Sequence, residues 1–370
     1  MGSVSLADTG IQLRKRFTGG KGMKIRDGIG LDFDDVLIVP QRSTISSRKH
    51  VNLERTFKFL YSPRTWSGVP IICANMSSVA SIRMAKALAK HKIITCLHKY
   101  YKVEELIELF KDESIRDYIW VSIGYSEKDL ENLKKISSEI SYMPNICIDV
   151  PNGHMDCFVE FCLKVRSHMW ESIIIAGNVA IRDMAQELLL HGGVDIAKIQ
   201  IGPGRACRTR VVTGVGYPTI TCIDECSHVA HGLNNGVKKL GLVCSDGGCK
   251  NPGDLAKAYV AGADFVMVGS MFSGTDECDQ EEIMVNDKKH YRFYGMSSHL
   301  AQEIHAEGKK GYRASEGEEF IIPAKGCVDD VVQEILGGIR SSCAYIGAQN
   351  IKDMPKCGEF IRVNRIHQNA

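Results

Sequence analysis

The chain has 370 residues, 44% of them hydrophobic and 24% charged, and its 46 Lys and Arg against 44 Asp and Glu leave a formal net charge of +2. This balance excludes a low-complexity or collagen-like chain, and it lacks the basic excess of a nucleic-acid or membrane-surface protein. A chain of this length buries a core without staples, so its 14 Cys read as reduced thiols of a cytoplasmic protein rather than as a disulfide scaffold.

Residues 1–22 are rich in Gly and Ser, carry Arg14, Lys15 and Arg16, and contain no apolar core of a secretory signal. Gly2 begins like a myristoylation site, but Leu6 stands where Ser or Thr is required. The expectation is a disordered extension over 1–22, followed by one catalytic domain over 23–370. No run of about 18 apolar residues is present, so no helix is expected to span a membrane.

From Val69 onward, short apolar runs recur: Val69–Ala74, Ile93–Leu97, Tyr118–Ile123, Asn145–Val150, Ser172–Gly177, Ala197–Ile201, Gly241–Ser245 and Asp264–Val268. Continuous apolarity marks parallel strands covered on both faces. Between them lie helical periods. Ile82, Ala85, Leu88 and Ala89 share one face of Ser81–His91, and Val103, Leu106, Ile107 and Phe110 share one face of Lys102–Phe110. Asn251 before Pro252 reads as the N-cap of a helix running to about Gly262. Eight such units predict a closed (β/α)8 TIM barrel. An open doubly wound sheet would use fewer strands, and the chain has neither a G-x-G-x-x-G nor a G-x-x-x-x-G-K-[ST] motif.

Two insertions interrupt the rhythm, one holding Gly202–Gly216 after the sixth strand, the other running from about Ser270 to Pro323 after the eighth. In a barrel both fall on the C-terminal rim, where the chemistry of this fold is done. Within the second, Ile283–Val285 and His290–Tyr294 flank Asn286–Lys289 like a hairpin.

The loop Gly202–Arg210 reads G-P-G-R-A-C-R-T-R. Its glycines permit a tight turn. Cys207 lies among Arg205, Arg208 and Arg210, whose charges would favour the nucleophilic thiolate, and Thr209 stands ready to pass a proton. Ser245-Asp246-Gly247-Gly248 and Gly269-Ser270-Met271 end the seventh and eighth strands, where this barrel cradles phosphate. Asp246 suits a ribose hydroxyl better than a phosphate. Glu316, in Tyr312-Arg313-Ala314-Ser315-Glu316-Gly317, is a candidate general acid or base. Gly295-Met296-Ser297-Ser298 offers amides and an apolar side chain for a flat ring. No Cys-x-x-Cys occurs, and Cys222 and Cys226 have no downstream ligand pair, so no structural zinc is expected.

These segments together resemble the IMP dehydrogenase/GMP reductase family, from Ile29 to Val363. The likeness is carried by L-D-F-D-D-V-L-I-V-P from Leu31, G-V-P-I-I-C-A-N-M from Gly68, T-G-V-G-Y-P from Thr213, S-D-G-G-C from Ser245, F-Y-G-M-S-S from Phe293, Y-R-A-S-E-G from Tyr312 and G-G-I-R-S from Gly337. The chain has no room for the regulatory module that the dehydrogenases usually carry, and Y-R-A-S-E-G is the reductase form. The resemblance implies reductive deamination of GMP by NADPH through a cysteine thioimidate, in purine salvage. It assigns Cys207, Thr209 and Glu316 to catalysis. It assigns GMP to Arg205, Asp246, Gly247, Gly248, Gly269, Ser270, Gly295, Met296, Ser297, Arg313, Ala314, Ser315 and Gly317. It assigns NADPH to Lys99, Asp149, Val150, Pro151, Ile201, Gly202, Met296, Tyr312 and Arg313, with Ser47, Arg48, Ser341, Ser342, Cys343 and Ala344 supplied from a neighbouring subunit or edge. It implies K+ on carbonyls of Gly202, Gly204, Cys207 and Arg210, and a homotetramer. The chain departs from the family's G-P-G-S-x-C-T-T-R at Arg205 and Arg208, from an expected glycine at Ser270, and in a cofactor-side motif at Pro151 and His154. Two other readings are a purine-nucleotide oxidoreductase of IMP dehydrogenase type and a purine-nucleotide-binding barrel with weak catalysis.

Overall fold

A computed structural model describes residues 24–26, 28–232, 241–305 and 314–364; the expected extension over 1–22 lies outside them. Every predicted barrel strand is present. They are β1 (Ile71–Cys73), β2 (Ile94–Leu97), β3 (Ile119–Ile123), β4 (Asn145–Asp149), β5 (Ile174–Val179), β6 (Ile196–Ile199), β7 (Leu242–Asp246) and β8 (Phe265–Val268). They pair in parallel in chain order, and β8 returns to β1, with Val266 opposite Ile71. The barrel helices are α1 (Ile82–Ala89), α2 (Val103–Phe110), α3 (Glu127–Ile140), α4 (Asp156–His168), α5 (Arg182–Leu190), α6 (Thr219–Gly232), α7 (Pro252–Val260) and α8 (Val328–Ile346).

Local chemistry starts these helices where the sequence says it should. Ser81 Oγ accepts from the Met84 amide at 2.9 Å, and Asn251 Oδ1 accepts from the Asp254 amide at 3.1 Å. The strands are apolar throughout because both faces are covered. Ile72, Cys96, Trp120, Cys147, Ile196, Cys244 and Phe265 belong to one core cluster, inside the barrel, while alternating neighbours such as Ile71, Ile148 and Ala197 belong to another, under the helices. All the cysteines are free thiols, and Cys73, Cys96, Cys147 and Cys244 are buried as expected. Among the described residues no helix is long and apolar enough to cross a membrane.

A hairpin that sequence reading missed, Arg55–Lys58 with Thr65–Gly68, closes the N-terminal end of the barrel. The Phe57 ring stacks on Phe265 at 4.4 Å. The predicted hairpin in the second insertion forms with a shorter turn. Asn286 and Asp287 both take positive φ, as a two-residue primed turn requires. Lys288 and Lys289 therefore join the strand Lys288–Tyr294, opposite Glu282–Val285. A third strand, Glu319–Pro323, pairs with Lys288–Tyr294 and was not anticipated.

Candidate active site

A cleft of about 390 Å3 opens at the C-terminal end of the barrel. Its wall is built from the strand ends and from both insertions. Cys207, Thr209 and Glu316 line it. Cys207 Sγ donates to Thr209 Oγ1 at 3.2 Å, and Thr209 Oγ1 donates to Glu316 Oε2 at 2.6 Å. Two segments a hundred residues apart in sequence are laced into this chain by backbone bonds. The Arg208 amide donates to the Glu316 carbonyl at 2.7 Å, and the Glu318 amide donates to the Ala206 carbonyl at 3.0 Å. The approach is close enough to need glycine: a Cβ on Gly317 would lie 2.3 Å from the Ser298 amide nitrogen, and one on Gly295 would lie 2.6 Å from the Ala206 carbonyl.

The expected field of three arginines around the sulfur is not what forms. The Arg205 guanidinium sits over the Phe320 ring at 5.4 Å, at the edge of the cleft. Arg210 pairs with Asp32 at 3.0 Å and donates to the Tyr217 carbonyl at 2.6 Å. Arg208 is exposed. The sulfur's hydrogen-bond partner is the Thr209 hydroxyl instead.

Sequence reading named Asp149 and Asp246 but missed Lys198, which joins them on the floor of the cleft. The interior alternation that stacks Cys147, Ile196 and Cys244 continues one step up to Asp149, Lys198 and Asp246. Lys198 Nζ donates to Asp149 Oδ1 at 2.6 Å, to Asp246 Oδ2 at 2.8 Å and to Asn178 Oδ1. Asn178 Nδ2 donates to Asp246 Oδ2 at 2.9 Å, and Asn75 Nδ2 donates to Asp149 Oδ2 at 2.9 Å. Burial opposes the charge on Lys198, but the two carboxylates overcome it and hold its pKa well above the ordinary value. Burial likewise pushes the Asp149 carboxyl up, and Lys198 and Asn75 outweigh it, leaving the group below the usual carboxylate range. The available signal was a lysine at an inward position of an otherwise apolar strand.

At the cleft's other wall, Gly247 and Gly248 take positive φ against Gly204 and Pro203. Gly269 and Ser270 complete the lining there, and Lys325 Nζ donates to the Ser270 and Met271 carbonyls at 3.1 and 2.8 Å. Gly295, Met296, Ser297, Ala314 and Gly317 line the same cleft. The Ser77 amide donates to the Met296 sulfur at 3.2 Å, and the Ser315 hydroxyl donates to the Ser297 carbonyl at 3.3 Å.

On the expected cofactor side, Lys99, Asp149, Val150, Pro151, Ile201 and Gly202 line the cleft. His154 Nε2 accepts from the Ala180 amide at 3.0 Å, so this departure has a structural use. Ser47 precedes the turn Arg48–His50, and that turn packs near α8, which carries Ser341 to Ala344. These six residues lie outside the cleft lining. Cys343 is fully buried within this patch. Tyr312 and Arg313 lie outside the described residues. Among the described residues no cluster of His, Cys, Asp and Glu suits a metal. The loop of Gly202, Gly204, Cys207 and Arg210 carries no carboxylate, and the Gly204 carbonyl already accepts from the Cys207 amide at 3.0 Å.

A model of the IMP dehydrogenase/GMP reductase domain matches residues 30–369. The GMP reductase of Buchnera aphidicola subsp. Schizaphis graminum (strain Sg) is 49% identical over 344 residues, which cover 92% of this chain and 97% of that protein. The GMP reductases of Yersinia enterocolitica serotype O:8 / biotype 1B (strain NCTC 13174 / 8081) and Yersinia pestis (strain Pestoides F) are 47% and 46% identical over 343 residues, with the same coverage.

Proposed function

The chain belongs to the IMP dehydrogenase/GMP reductase family, and from that premise we propose that it is an NADPH-dependent oxidoreductase that deaminates GMP reductively. GMP, NADPH and two protons give IMP, NADP+ and ammonium. The observation that carries this reading is the unbroken hydrogen-bond chain from Cys207 through Thr209 to Glu316 in the cleft wall.

Along that chain the thiol proton moves to Thr209 as the Thr209 proton moves to Glu316, and the freed sulfur adds to guanine C2. The same path run backwards protonates the exocyclic amine, the C2–N bond breaks and ammonia leaves. What remains is a thioimidate on Cys207. NADPH, when bound, supplies a hydride to C2. The C–S bond then breaks, and the thiolate takes a proton from solvent through Glu316 and Thr209, the original thiol proton having left with ammonia. One difficult substitution is divided into an addition–elimination and a reduction, which is the gain of covalent catalysis.

Gly247–Gly248 and Gly269–Ser270 would meet the nucleotide phosphate with amides. Asp246 receives both of its bonds at Oδ2, which leaves Oδ1 for a ribose hydroxyl. Met296 and Ser297 would meet the base, with Gly295, Ala314, Ser315 and Gly317 around it, and the family resemblance adds Arg313. Arg205, one flexible side chain away from the glycine loops, would add a charge-assisted bond to the phosphate. The carboxylate of Asp149, the ammonium of Lys99 and the strip of Val150, Pro151, Ile201 and Gly202 fit the polar and planar parts of NADPH, and the family resemblance assigns Tyr312 and Arg313 to the same cofactor. The patch of Ser47, Arg48 and Ser341–Ala344 stands off the cleft, which suits service to a neighbouring copy in a homotetramer. A loop whose carbonyls come without carboxylates suits a monovalent cation such as K+ rather than a divalent one. We place the enzyme in cytoplasmic purine salvage, with 23–370 as one catalytic domain behind the extension at 1–22.

The test is NADPH oxidation on addition of GMP, with ammonia measured alongside. Cys207→Ala is expected to reduce turnover to background while GMP still binds. Turnover by that variant would overturn the assigned nucleophile, and activity with IMP and NAD+ but none with GMP and NADPH would overturn the reaction.

A further inference from the structure

We propose that Lys198 is a positioning residue that fixes the separation of Asp149 and Asp246 and so links the cofactor end of the cleft to the nucleotide end. The inference rests on the reading above, in which Asp246 meets the ribose of GMP and Asp149 belongs to the cofactor's side.

Lys198 is 1% exposed and has committed its ammonium. Its three donors are matched by three bonds, to Asp149, Asp246 and Asn178. It has no proton direction left for a ligand, which separates it from a catalytic acid. The two carboxylates it holds are different. Their side chains are 35% and 20% exposed and both line the cleft. One buried cation thus serves two acids, each open to a different part of the cleft. Asn178 braces the arrangement by donating to Asp246 and to the Gln200 carbonyl at 2.9 Å. Gly177, one residue before Asn178, allows the approach: a Cβ there would lie 2.1 Å from the Lys198 carbonyl.

The charged and titratable groups around Lys198 are few. Asp149 and Cys147 face it from β4, Asp246 and Cys244 from β7, and Lys99 acts on Asp149 from the loop after β2. The Cys96 thiol and burial push Cys147 up, and burial with Asp246 pushes Cys244 up, so neither cysteine adds a negative charge beside the two acids. Without Lys198, two carboxylates would share a half-closed cleft, with Lys99 acting on Asp149. Like charges so placed cannot both ionise freely, and the pair would take up a proton.

The experiment is titration calorimetry of GMP and, separately, of NADP+ into wild type, Lys198→Met, Lys198→Arg and the double variant Asp149→Asn/Lys198→Met. In Lys198→Met both affinities are expected to fall at least about tenfold, the size of an unpaired buried charge. The deficit relative to wild type should deepen from about pH 5 to about pH 8, because at low pH a shared proton stands in for the missing ammonium. Each ligand's own phosphate titration is common to both proteins and cancels in the ratio. Lys198→Arg keeps the charge and should recover most of both affinities with a pH-independent ratio.

Unchanged affinities in Lys198→Met, loss of only one of them, a pH-independent deficit, or no recovery in Lys198→Arg would each overturn the linkage. If Lys198→Met does not fold, the double variant decides, since it carries one carboxylate fewer. It should bind GMP with a pH-independent ratio and bind NADP+ weakly, and wild-type NADP+ affinity there would sink the idea. Linked binding in a protein that does not turn over GMP would support the linkage and remove the reaction, so the two can fail separately.

Discussion

Two clusters that pair a cation with carboxylate, Arg166 with Asp195 and Lys198 with Asp149 and Asp246, lie at opposite ends of one barrel, and the short strand β6 joins them. Asp195 stands just before β6 at the closed end; Lys198 stands near its other end, under the cleft. At the closed end Asp195 is fully buried and accepts from Arg166 at 2.6 Å, from the Ile174 and Tyr61 amides at 3.0 Å and from the Ser62 amide at 3.2 Å. Arg166 gives its other donors to carbonyls, among them Gly193 at 2.8 Å and Ser172 at 2.7 Å. Almost every partner is backbone, fixed by the fold. At the cleft end the partners are side chains, and the carboxylates keep exposed oxygens. Similar charges serve two ends because the fixed one is saturated and the open one is not. A saturated cluster ties elements together; an unsaturated one has capacity left for a ligand.

The largest test of that contrast lies at the open end. Glu316→Gln keeps a carbonyl oxygen for the Thr209 hydroxyl but cannot take up a proton. It is expected to lower kcat by about 10²- to 10⁴-fold, the usual share of general acid–base catalysis, with the unfolding midpoint unchanged. Unimpaired turnover would remove Glu316 from the proton path, and a large fall in the midpoint would make the open end structural as well. The converse substitution is Asp195→Ala. It strands the Arg166 guanidinium and several amides, so stability measured by urea unfolding should fall by about 3–5 kcal/mol. The KM values for GMP and NADPH should stay as they are. A changed KM with little loss of stability would break the distinction.

The two ends also differed in how far they could be read from sequence. Strands and helices were legible because a covered parallel strand is apolar on both faces, and because Ser81 and Asn251 are capping residues. Cys207, Thr209 and Glu316 were legible because loops carry their chemistry in short motifs. Lys198 was hidden inside a strand, where Ile196–Ile199 reads as core with one odd residue. Only the alternation of inward positions, with Cys147 below Asp149 and Cys244 below Asp246, shows that the odd residue shares a layer with two acids. Side-chain direction was not legible either. Three arginines near Cys207 in sequence turn to Phe320, to Asp32 and outward in space. The hairpin Arg55–Lys58 with Thr65–Gly68 escaped because its use, closing the barrel under Phe265, is a tertiary fact.

The smallest expected effect separates the ends by pH. At the cleft rim His98 is pushed down to about 4, chiefly by burial and also by His305 nearby. Its ring stacks on Tyr101 at 4.2 Å, and its Nδ1 accepts from the Tyr100 amide at 3.3 Å, an arrangement that wants the neutral imidazole. At the closed end burial works against the Asp264 carboxylate, but His231 at 2.7 Å, Arg55 at 2.9 Å and the Val243 amide hold it below its ordinary range. The signs then differ in place. An unfolded histidine binds a proton near pH 6.5 that folded His98 refuses until about pH 4, so stability falls as pH drops through that window. The contribution of Asp264 is present above its unfolded pKa of about 3.9 and is lost only below it. His98→Phe keeps a stacking ring without a proton site. Urea unfolding should show the loss between about pH 6.5 and 4 reduced by roughly 2 kcal/mol in that variant, with the loss at lower pH intact. If the variant's stability ran parallel to wild type down to pH 4, the rim would not be the acid-sensitive end.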